Sequence, residues 1–166
     1  MKIFLTGFMG CGKSTIGRKL AAHLQYQFND LDKLIEKETG MTIADYFSLH
    51  GEEKFRELER DTLQHSTMGD HTVIATGGGA PCYHDNMEWM KSEGKVVYIH
   101  MEPKALVNRL KHAKTERPLL KGLTEEEMIS FITEKLAARE EHYRKAQFIV
   151  SGIDLTAEKL AAYLQL

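Results

Sequence analysis

The sequence has little of what marks several specialised protein classes. It contains 2 Cys, 3 Pro and 1 Trp among 166 residues. Cys11 and Cys82 offer no metal-binding spacing and no disulfide framework, and a single bridge between them is open on counting alone. This cysteine usage is typical of a reducing compartment, so we expect a cytoplasmic protein. No apolar run approaches the ~20 residues of a transmembrane helix, so no membrane span is expected.

An excess of positive charge is also absent. Lys plus Arg number 22 against 24 Asp plus Glu, which gives a net charge of −2 with His neutral. Nonspecific binding to nucleic acids or anionic membranes needs a clear basic excess, so we expect neither as a partner. The content of 42% hydrophobic residues excludes disorder, and the length predicts one domain over residues 1–166. No exposed apolar stripe stands out, so a monomer is expected.

What the chain does have is a regular alternation of apolar runs and helical patterns. Strands are predicted near residues 3–5, 26–31, 73–75, 96–100 and 148–150, and helices near 14–24, 33–38, 43–49, 52–64, 86–92, 103–111, 124–145 and 156–164. Thr124 and Glu127 have the spacing of a helix capping box. Alternating strands and helices predict an α/β fold, with a parallel sheet covered by helices on both faces.

One motif carries a strong functional signal. Residues 7–14, GFMGCGKS, match G-x-x-x-x-G-K-[ST] directly after the first predicted strand and at the start of a helix. In such a loop the glycines let backbone N–H groups turn toward phosphate oxygens, and the helix N-terminus adds positive charge. Lys13 would bridge the β- and γ-phosphates, and the Ser14 hydroxyl would ligate Mg²⁺. The motif therefore predicts a nucleoside triphosphate site.

The rest of the sequence narrows the use of that nucleotide. It contains no N-K-x-D segment for reading guanine and no D-x-x-G switch, which argues against a GTPase. A length of 166 residues argues against a large mechanical ATPase. A small phosphotransferase and a nucleotide-binding module without chemistry remain as interpretations.

Two aspartates indicate a place for a second substrate. Asp30 and Asp32 end the second predicted strand, and alternation along an extended segment would put both carboxylates on one side. Ligands of parallel sheets bind at the carboxyl ends of the strands. One carboxylate could hold Mg²⁺ through water while the other accepts a hydrogen bond from an acceptor hydroxyl. The alternative is a polar loop in which Asp32 caps the next helix.

Three consecutive glycines follow the third predicted strand. Gly77, Gly78 and Gly79 would let the backbone approach a ligand closely, because no Cβ atom stands in the way. The alternative is a tight turn without a ligand. These glycines are therefore candidates for binding the second substrate.

Arginines supply the remaining candidates. Arg56 and Glu59 have helical i, i+3 spacing, so Glu59 could fix the guanidinium. Arg139 lies in the long predicted helix, and Arg117 lies in the aperiodic segment 113–122, which we predict to be a mobile loop. Guanidinium groups bind carboxylates and phosphates through two parallel hydrogen bonds, so a cluster of them would select an anionic substrate. The alternative for each arginine is a solvated surface position.

Taken in order, these positions resemble one family. The matching segments are Gly10-Cys11-Gly12-Lys13-Ser14-Thr15-Ile16-Gly17, Asp30-Leu31-Asp32, Ile35-Glu36, Gly51-Glu52, Phe55-Arg56 with Glu59, Gly77-Gly78-Gly79-Ala80, Arg117-Pro118-Leu119-Leu120 and Arg139 with Tyr143. The set resembles the shikimate kinases over almost the whole chain. The phosphate loop is shared by many families, but the D-x-D, F-R-x-x-E, G-G-G and R-P-L-L segments are specific in combination.

The resemblance implies a fold and a reaction. The fold is similar to that of nucleoside monophosphate kinases, a three-layer P-loop fold whose five-stranded parallel sheet has the order 2-3-1-4-5. The implied reaction transfers the γ-phosphoryl group of ATP to the 3-hydroxyl of shikimate, a step toward chorismate and the aromatic amino acids. A shikimate-binding segment at about 32–60 and a lid at about 113–122 are also implied.

The resemblance also implies residue roles. ATP would be bound by loop residues and two arginines, namely Gly10, Cys11, Gly12, Lys13, Ser14, Thr15, Arg109 and Arg117. Shikimate would be bound by Asp32, Arg56, Gly77, Gly78, Gly79 and Arg139, with the arginines mainly on its carboxylate. Lys13, Asp32 and Arg117 would be catalytic, with Asp32 orienting or deprotonating the attacking hydroxyl. Ser14 and Asp30 would serve Mg²⁺, Asp30 through water.

Two details depart from the commoner pattern of this family. Pro81-Cys82-Tyr83 follows the glycines and Ala80 where an aliphatic residue is more usual, and Cys11 fills a loop position that is often Ser or Ala. The adenine side, at Arg109 and residues 153–154, is where the family varies most. The alternatives are a kinase of another small hydroxy acid, such as gluconate, and a nucleotide-binding module that has lost catalysis.

Overall fold

The computed structural model describes residues 1–66, 69–113 and 120–166. Its sheet contains the strands β1 (Lys2–Thr6), β2 (Gln27–Asp30), β3 (Thr72–Ala75), β4 (Gly94–His100) and β5 (Phe148–Ser151). The strand order is β2-β3-β1-β4-β5, and every neighbouring pair is parallel. The α/β fold and the strand order expected from the sequence are confirmed.

Helices flank this sheet. They are α1 (Lys13–Leu24), α2 (Leu31–Thr39), α3 (Ile43–His65), α4 (Asn86–Glu93), α5 (Pro103–Lys111), α6 (Glu125–Tyr143) and α7 (Ala157–Tyr163), with a single 3-10 turn at Ala80–Cys82 between β3 and α4. The capping box at the start of α6 is confirmed, because the Thr124 side chain accepts from the Glu127 N–H and the Glu127 carboxylate accepts from the Thr124 N–H. None of the helices in the described ranges has the length and apolar content needed to cross a membrane.

The middle residues of the central strands β1 and β3 are apolar, because both faces of the sheet are covered. Ile3, Phe4 and Leu5 of β1 are 0% exposed, and Val73 and Ile74 of β3 are equally buried. Strands buried on both faces read as continuous apolar runs, which is the pattern that the sequence shows here. This burial fixes the positions of the loops that follow the strands.

A glycine divides α3 into two segments. Gly51 has φ 84° and ψ 171°, a conformation outside the helical region that favours glycine. The sequence predicts separate helices near 43–49 and 52–64, and the break between them is confirmed at this residue. The second segment carries Arg56 and Glu59.

The aspartates after β2 differ from the prediction. Asp30 is the last residue of the strand and α2 begins at Leu31, so Asp32 lies in the first turn of the helix. The argument from strand alternation was therefore wrong, since no extended segment joins the two residues. Asp30, and not Asp32, is the N-cap, because its side chain accepts from the Lys33 N–H at 3.3 Å. A carboxylate in this position satisfies a free helix N–H, and the strand ends there.

The register of the sheet brings three loops to one edge. Asp30 pairs with Ala75, and Ala75 pairs with Leu5, so β2, β3 and β1 end at the same level. The loop at 7–12 and the glycines at 77–79 therefore leave the sheet side by side. The turn at Ala80–Cys82 contacts both α3 and α6, which bring arginines to this edge.

Candidate active site

The loop after β1 has the shape of a phosphate cradle. Gly7, Gly10 and Gly12 all have positive φ angles, of 144°, 83° and 97°, which side chains other than glycine rarely adopt. The Lys13 ammonium donates to the Gly7 carbonyl at 2.6 Å and to the Phe8 carbonyl at 3.1 Å. The lysine is therefore folded back over the loop, with its charge held where phosphate oxygens would enter.

A cleft of about 160 Å³ adjoins this loop and the start of α1. It is lined by Cys11, Gly12, Thr15, Ile16, Lys19, Arg109, Gly152 and Leu155. Arg109 comes from α5 and donates to the Gly152 carbonyl at 3.3 Å. A Cβ atom on Gly12 would lie 2.6 Å from Nη1 of Arg109, so glycine is required there for the arginine to reach the loop.

Several residues of this cleft were not singled out from the sequence. Lys19, Gly152 and Leu155 line it, whereas the adenine side was expected at Arg109, which does line it, and at residues 153–154. Ile153 and Asp154 line a separate groove beside α7. Gly152 and Leu155 follow the carboxyl end of β5, and their position at that end of a parallel strand is the one signal that could have indicated them.

Ser14 and Asp30 place two oxygen atoms that could ligate a metal at the N-terminus of α1. The Ser14 hydroxyl donates to Oδ2 of Asp30 at 2.7 Å, which joins the first turn of α1 to the end of β2. Oxygen ligands suit Mg²⁺, which keeps several waters and takes further ligands from phosphates. The described residues contain no group of three or more His, Cys, Asp or Glu that could hold a metal by itself. A hydroxyl and a carboxylate beside a phosphate cradle fit a magnesium ion that arrives with a nucleotide.

The glycines after β3 form a floor that charged side chains approach closely. A Cβ atom on Gly77 would lie 2.9 Å from Oδ1 of Asp32, and one on Gly78 would lie 3.1 Å from Nη1 of Arg139. One on Gly79 would lie 2.5 Å from Nη1 of Arg56. The absence of side chains at these positions allows an aspartate and two arginines to converge.

This floor also adjoins the phosphate cradle. A Cβ atom on Gly78 would lie 3.7 Å from both the Gly7 carbonyl oxygen and the Met9 nitrogen. The structure therefore brings Asp32, Arg56 and Arg139 together beside the loop that carries Lys13. The glycines also form a turn, since the Ala80 N–H donates to the Gly77 carbonyl and the Cys82 N–H donates to the Gly79 carbonyl.

Arg56 is held by a buried carboxylate. Its Nη1 donates to Oε1 of Glu59 at 2.9 Å, and the Glu59 side chain is only 2% exposed. Burial raises the pKa of Glu59, and the charge and hydrogen bond of Arg56 oppose that rise. The Asp32 charge adds to the rise and the Arg139 charge opposes it, so these groups form one electrostatic cluster.

Arg139 is positioned by α6 and by a tyrosine one turn later. The Tyr143 hydroxyl donates to the Gly78 carbonyl at 2.5 Å, and its ring stacks on Tyr98 with centroids 4.9 Å apart. The Arg139 guanidinium lies 5.6 Å from the ring centroid of Phe8 in the phosphate loop. Tyr143 belongs to the segments that resemble the family, but the sequence indicated no role for it. Its buried hydroxyl now explains how α6 is joined to the glycine floor.

Arg117 and the two cysteines are the remaining residues that the sequence analysis considered. Arg117 and most of the proposed lid lie outside the described residues, at positions 114–119. Cys11 and Cys82 are both free thiols, so the bridge left open by counting is not formed. Burial raises the pKa of Cys82 to about 11.

A phosphate cradle on a parallel sheet, next to a second site with two arginines and an aspartate, defines a small-molecule kinase of the P-loop class. The model of the shikimate kinase family matches residues 9–165. The chain belongs to the shikimate kinase family.

Relatives in this family cover most of the chain. A shikimate kinase of Bacteroides thetaiotaomicron is 43% identical over 155 residues, which are 93% of this chain and 89% of that protein. The crystal structure of a shikimate kinase from the same species superposes with a TM-score of 0.96 at 40% identity, covering 100% of this chain and 99% of that one. A shikimate kinase from Acinetobacter baumannii, solved in complex with shikimate, has a TM-score of 0.84 at 35% identity, covering 99% and 90%.

These findings establish the activity. The chain is an ATP-dependent kinase that phosphorylates a hydroxyl of shikimate in aromatic amino acid biosynthesis. The interpretation of the sequence as a shikimate kinase is confirmed. Neither alternative, a gluconate-type kinase or a module without catalysis, has support from the family match.

Proposed function

We propose that the chain binds the triphosphate of ATP on residues 7–14 and shikimate over the glycine floor, and that it phosphorylates the 3-hydroxyl. The observation that carries this assignment is the convergence of Asp32, Arg56 and Arg139 on residues 77–79, next to the phosphate loop. Phosphoryl transfer depends on positioning and charge neutralisation more than on covalent chemistry. Two adjoining sites with these charges meet both needs.

The nucleotide half of the proposal assigns the loop to the phosphates. Backbone N–H groups of Gly10, Cys11 and Gly12 would donate to phosphate oxygens, together with the start of α1. Lys13 would exchange its two carbonyl partners, Gly7 and Phe8, for the β- and γ-phosphates. Thr15 and Arg109 line the adjoining cleft, which we assign to the adenosine moiety.

We assign magnesium to Ser14 and Asp30. The serine hydroxyl would ligate the ion, and the Asp30 carboxylate, now 2.7 Å from that hydroxyl, would accept from its waters. When bound, the ion supplies positive charge that neutralises the phosphate oxygens during transfer. These two residues would hold the ion where the first turn of α1 meets the end of β2.

The acceptor half assigns the arginines to the shikimate carboxylate. Arg56 and Arg139 present guanidinium groups on neighbouring glycines, where a planar carboxylate can accept from both. Asp32, at the Gly77 end of the floor, would accept a hydrogen bond from the attacking hydroxyl and orient it, or take its proton. The Gly77, Gly78 and Gly79 backbone would pack against the substrate ring.

The remaining assignments come from the matching segments of the family. Arg117 would meet the phosphates from a lid at about 113–122, and the acceptor segment would span about 32–60 within one domain of 1–166. A lid that closes only over both substrates would exclude water as a competing acceptor. Hydrogen exchange that is equally slow in the lid with and without both ligands would contradict this role.

We further propose that the chain works as a monomer in the cytoplasm, with ATP and shikimate as its partners and without nucleic acid or membrane binding. One chain supplies residues for both halves of the site, so a second copy is not needed to complete it. Light scattering with and without substrates tests the oligomeric state. A stable dimer would contradict this part of the proposal.

The decisive experiment measures ADP formation from ATP and Mg²⁺ with shikimate or gluconate as the acceptor. We expect strong stimulation by shikimate alone, and its loss in Asp32→Ala with the cooperative unfolding transition retained. Phosphorus NMR of the product identifies which hydroxyl carries the phosphate. Retention of full activity in Asp32→Ala would remove Asp32 from the catalytic assignment while leaving the family unaffected.

A further inference from the structure

Arg56 has one polar edge that makes no hydrogen bond among the described residues. Its Nη1 donates to Glu59, whereas Nε is buried and has no hydrogen bond among the described residues. The nearest acid, Glu52, has its Oε1 atom 3.7 Å from that Nε, which is too long for a hydrogen bond. A buried donor without an acceptor is costly, so this edge is suited to an incoming carboxylate.

Tyr83 lies against this same guanidinium. Its ring centroid is 4.1 Å from Cζ of Arg56, and the Phe55 ring lies 5.2 Å away. The Tyr83 hydroxyl donates to Oε1 of Glu52 at 2.9 Å. One side chain therefore contacts both the arginine and the acid that could pair with it.

The backbone explains why Tyr83 can make both contacts. Tyr83 directly follows the turn at Ala80–Cys82, which continues from the glycine floor. Glu52 directly follows the break at Gly51 in α3. Tyr83 thus joins the floor of the acceptor site to the helical segment that carries Arg56.

Without the tyrosine hydroxyl, Glu52 has a competing partner close by. Glu52 and Arg56 have i, i+4 spacing, and the Glu52 side chain is half exposed and free to change rotamer. A full ion pair with Nε would occupy the edge that the acceptor carboxylate needs. Burial and the hydrogen bond to Glu52 both raise the pKa of Tyr83, so the hydroxyl keeps its proton and remains a donor at neutral pH.

We propose that Tyr83 is a positioning residue for acceptor binding. Its ring fixes the orientation of the Arg56 guanidinium, and its hydroxyl keeps Glu52 beyond hydrogen-bond distance of Nε, which leaves that edge available to the carboxylate of the acceptor. The inference rests on the proposed role of Arg56.

The test compares KM for shikimate, KM for ATP and kcat in four proteins: wild type, Tyr83→Phe, Glu52→Ala and the double variant. Tyr83→Phe keeps the ring and frees Glu52, so we expect KM for shikimate to rise roughly tenfold, the size of one hydrogen bond to a charged group. We expect kcat and KM for ATP to stay unchanged. Glu52→Ala alone should not raise KM for shikimate, and the double variant should return it to the wild-type value.

The possible results distinguish a failure of the role of Tyr83 from a failure of the proposed role of Arg56. An unchanged KM for shikimate in Tyr83→Phe overturns the inference. So does a double variant whose KM for shikimate is as high as that of Tyr83→Phe. A rise caused by a general loss of structure would not be rescued by Glu52→Ala, so the double variant distinguishes the two causes. Urea unfolding of each variant provides the check on folding. Arg56→Ala serves as a separate control: if it leaves KM for shikimate unchanged, the role of Arg56 fails and this inference fails with it.

Discussion

The two halves of the active site are built in different ways. The phosphate-binding part of the nucleotide half is a continuous stretch, residues 7–14, in which backbone geometry at Gly7, Gly10 and Gly12 shapes the loop. The acceptor half collects Asp32 from α2, Arg56 from α3 and Arg139 from α6 around three glycines. One half is made by local sequence and the other by packing between distant elements.

This difference determines how each half responds to substitution. A change in the phosphate loop alters the backbone that binds the ligand. A change on the acceptor side moves individual side chains, because Arg56 and Arg139 reach their positions across the open surface of glycines. We therefore expect variants of the phosphate loop to affect the chemical step, and variants of Arg56 or Arg139 to affect acceptor binding.

The largest effect is expected at Lys13. Lys13→Ala removes the ammonium that would stabilise charge on the transferring phosphoryl group, and kcat should fall by about two to three orders of magnitude. Steady-state kinetics with the exposed Lys37→Ala as the matched control tests this. A fall of less than tenfold in kcat would show that the loop backbone alone supports transfer.

Gly79→Ala should weaken acceptor binding by displacing Arg56. The new Cβ atom would lie 2.5 Å from Nη1 of Arg56, so the guanidinium must shift away from the glycine floor. We expect KM for shikimate to rise about tenfold, with KM for ATP unchanged, because a charged hydrogen bond is displaced.

Gly69→Ala is the matched control for this change, since a Cβ atom there meets nothing within 4 Å. Urea unfolding of both variants shows whether stability changed. A Gly79→Ala protein with normal KM for shikimate would place the carboxylate away from Arg56.

A smaller effect is expected at the nucleotide cleft. Arg109→Ala removes one wall of the cleft and its contact with the Gly152 carbonyl, so KM for ATP should rise roughly threefold to tenfold. KM for shikimate should stay constant in the same titrations. A shift in both constants would mean that the two halves are energetically coupled through α5.

The smallest effect is a pH dependence of stability. The folded-state pKa of Glu59 lies above its ordinary value of 4.5, so the folded protein binds the proton more tightly than the unfolded chain. The stabilising contribution of protonated Glu59 to the free energy of unfolding is therefore fully present below pH 4.5, and it is lost as pH rises through the folded-state pKa. The free energy of unfolding of wild type minus that of Glu59→Gln should fall over this range. A difference that rises with pH would show that pairing with Arg56 outweighs burial.

The residues of the phosphate loop are easier to predict from the sequence than those of the acceptor half, because the former are neighbours in the chain and the latter are not. The phosphate loop can be interpreted from residues 7–14 alone, because its glycines, lysine and serine are neighbours in the chain. Arg56 and Arg139 cannot be brought together from spacing, since 83 positions separate them and only the packing of α3 and α6 on one turn unites them. Family resemblance provided those residues.

Some local features could not be predicted at all. Asp32 was expected in a strand because D-x-D alternates, but Asp30 caps α2 and places Asp32 in the helix. The role of Tyr143 depends on a hydrogen bond to the carbonyl of Gly78, 65 residues away in the chain. No periodicity or motif encodes such a contact, which arises only when α6 has packed.

The two oxygens of Asp30 have a consequence for the order of substrate addition. Oδ1 accepts from the Lys33 N–H and starts α2, while Oδ2 accepts from the Ser14 hydroxyl. A metal–nucleotide that recruits Oδ2 leaves Oδ1 in place, so the helix that carries Asp32 stays folded whether the nucleotide site is full or empty. We expect each substrate to bind without the other, as calorimetric titrations of the separate ligands would show, and the kinetic order of addition to be random.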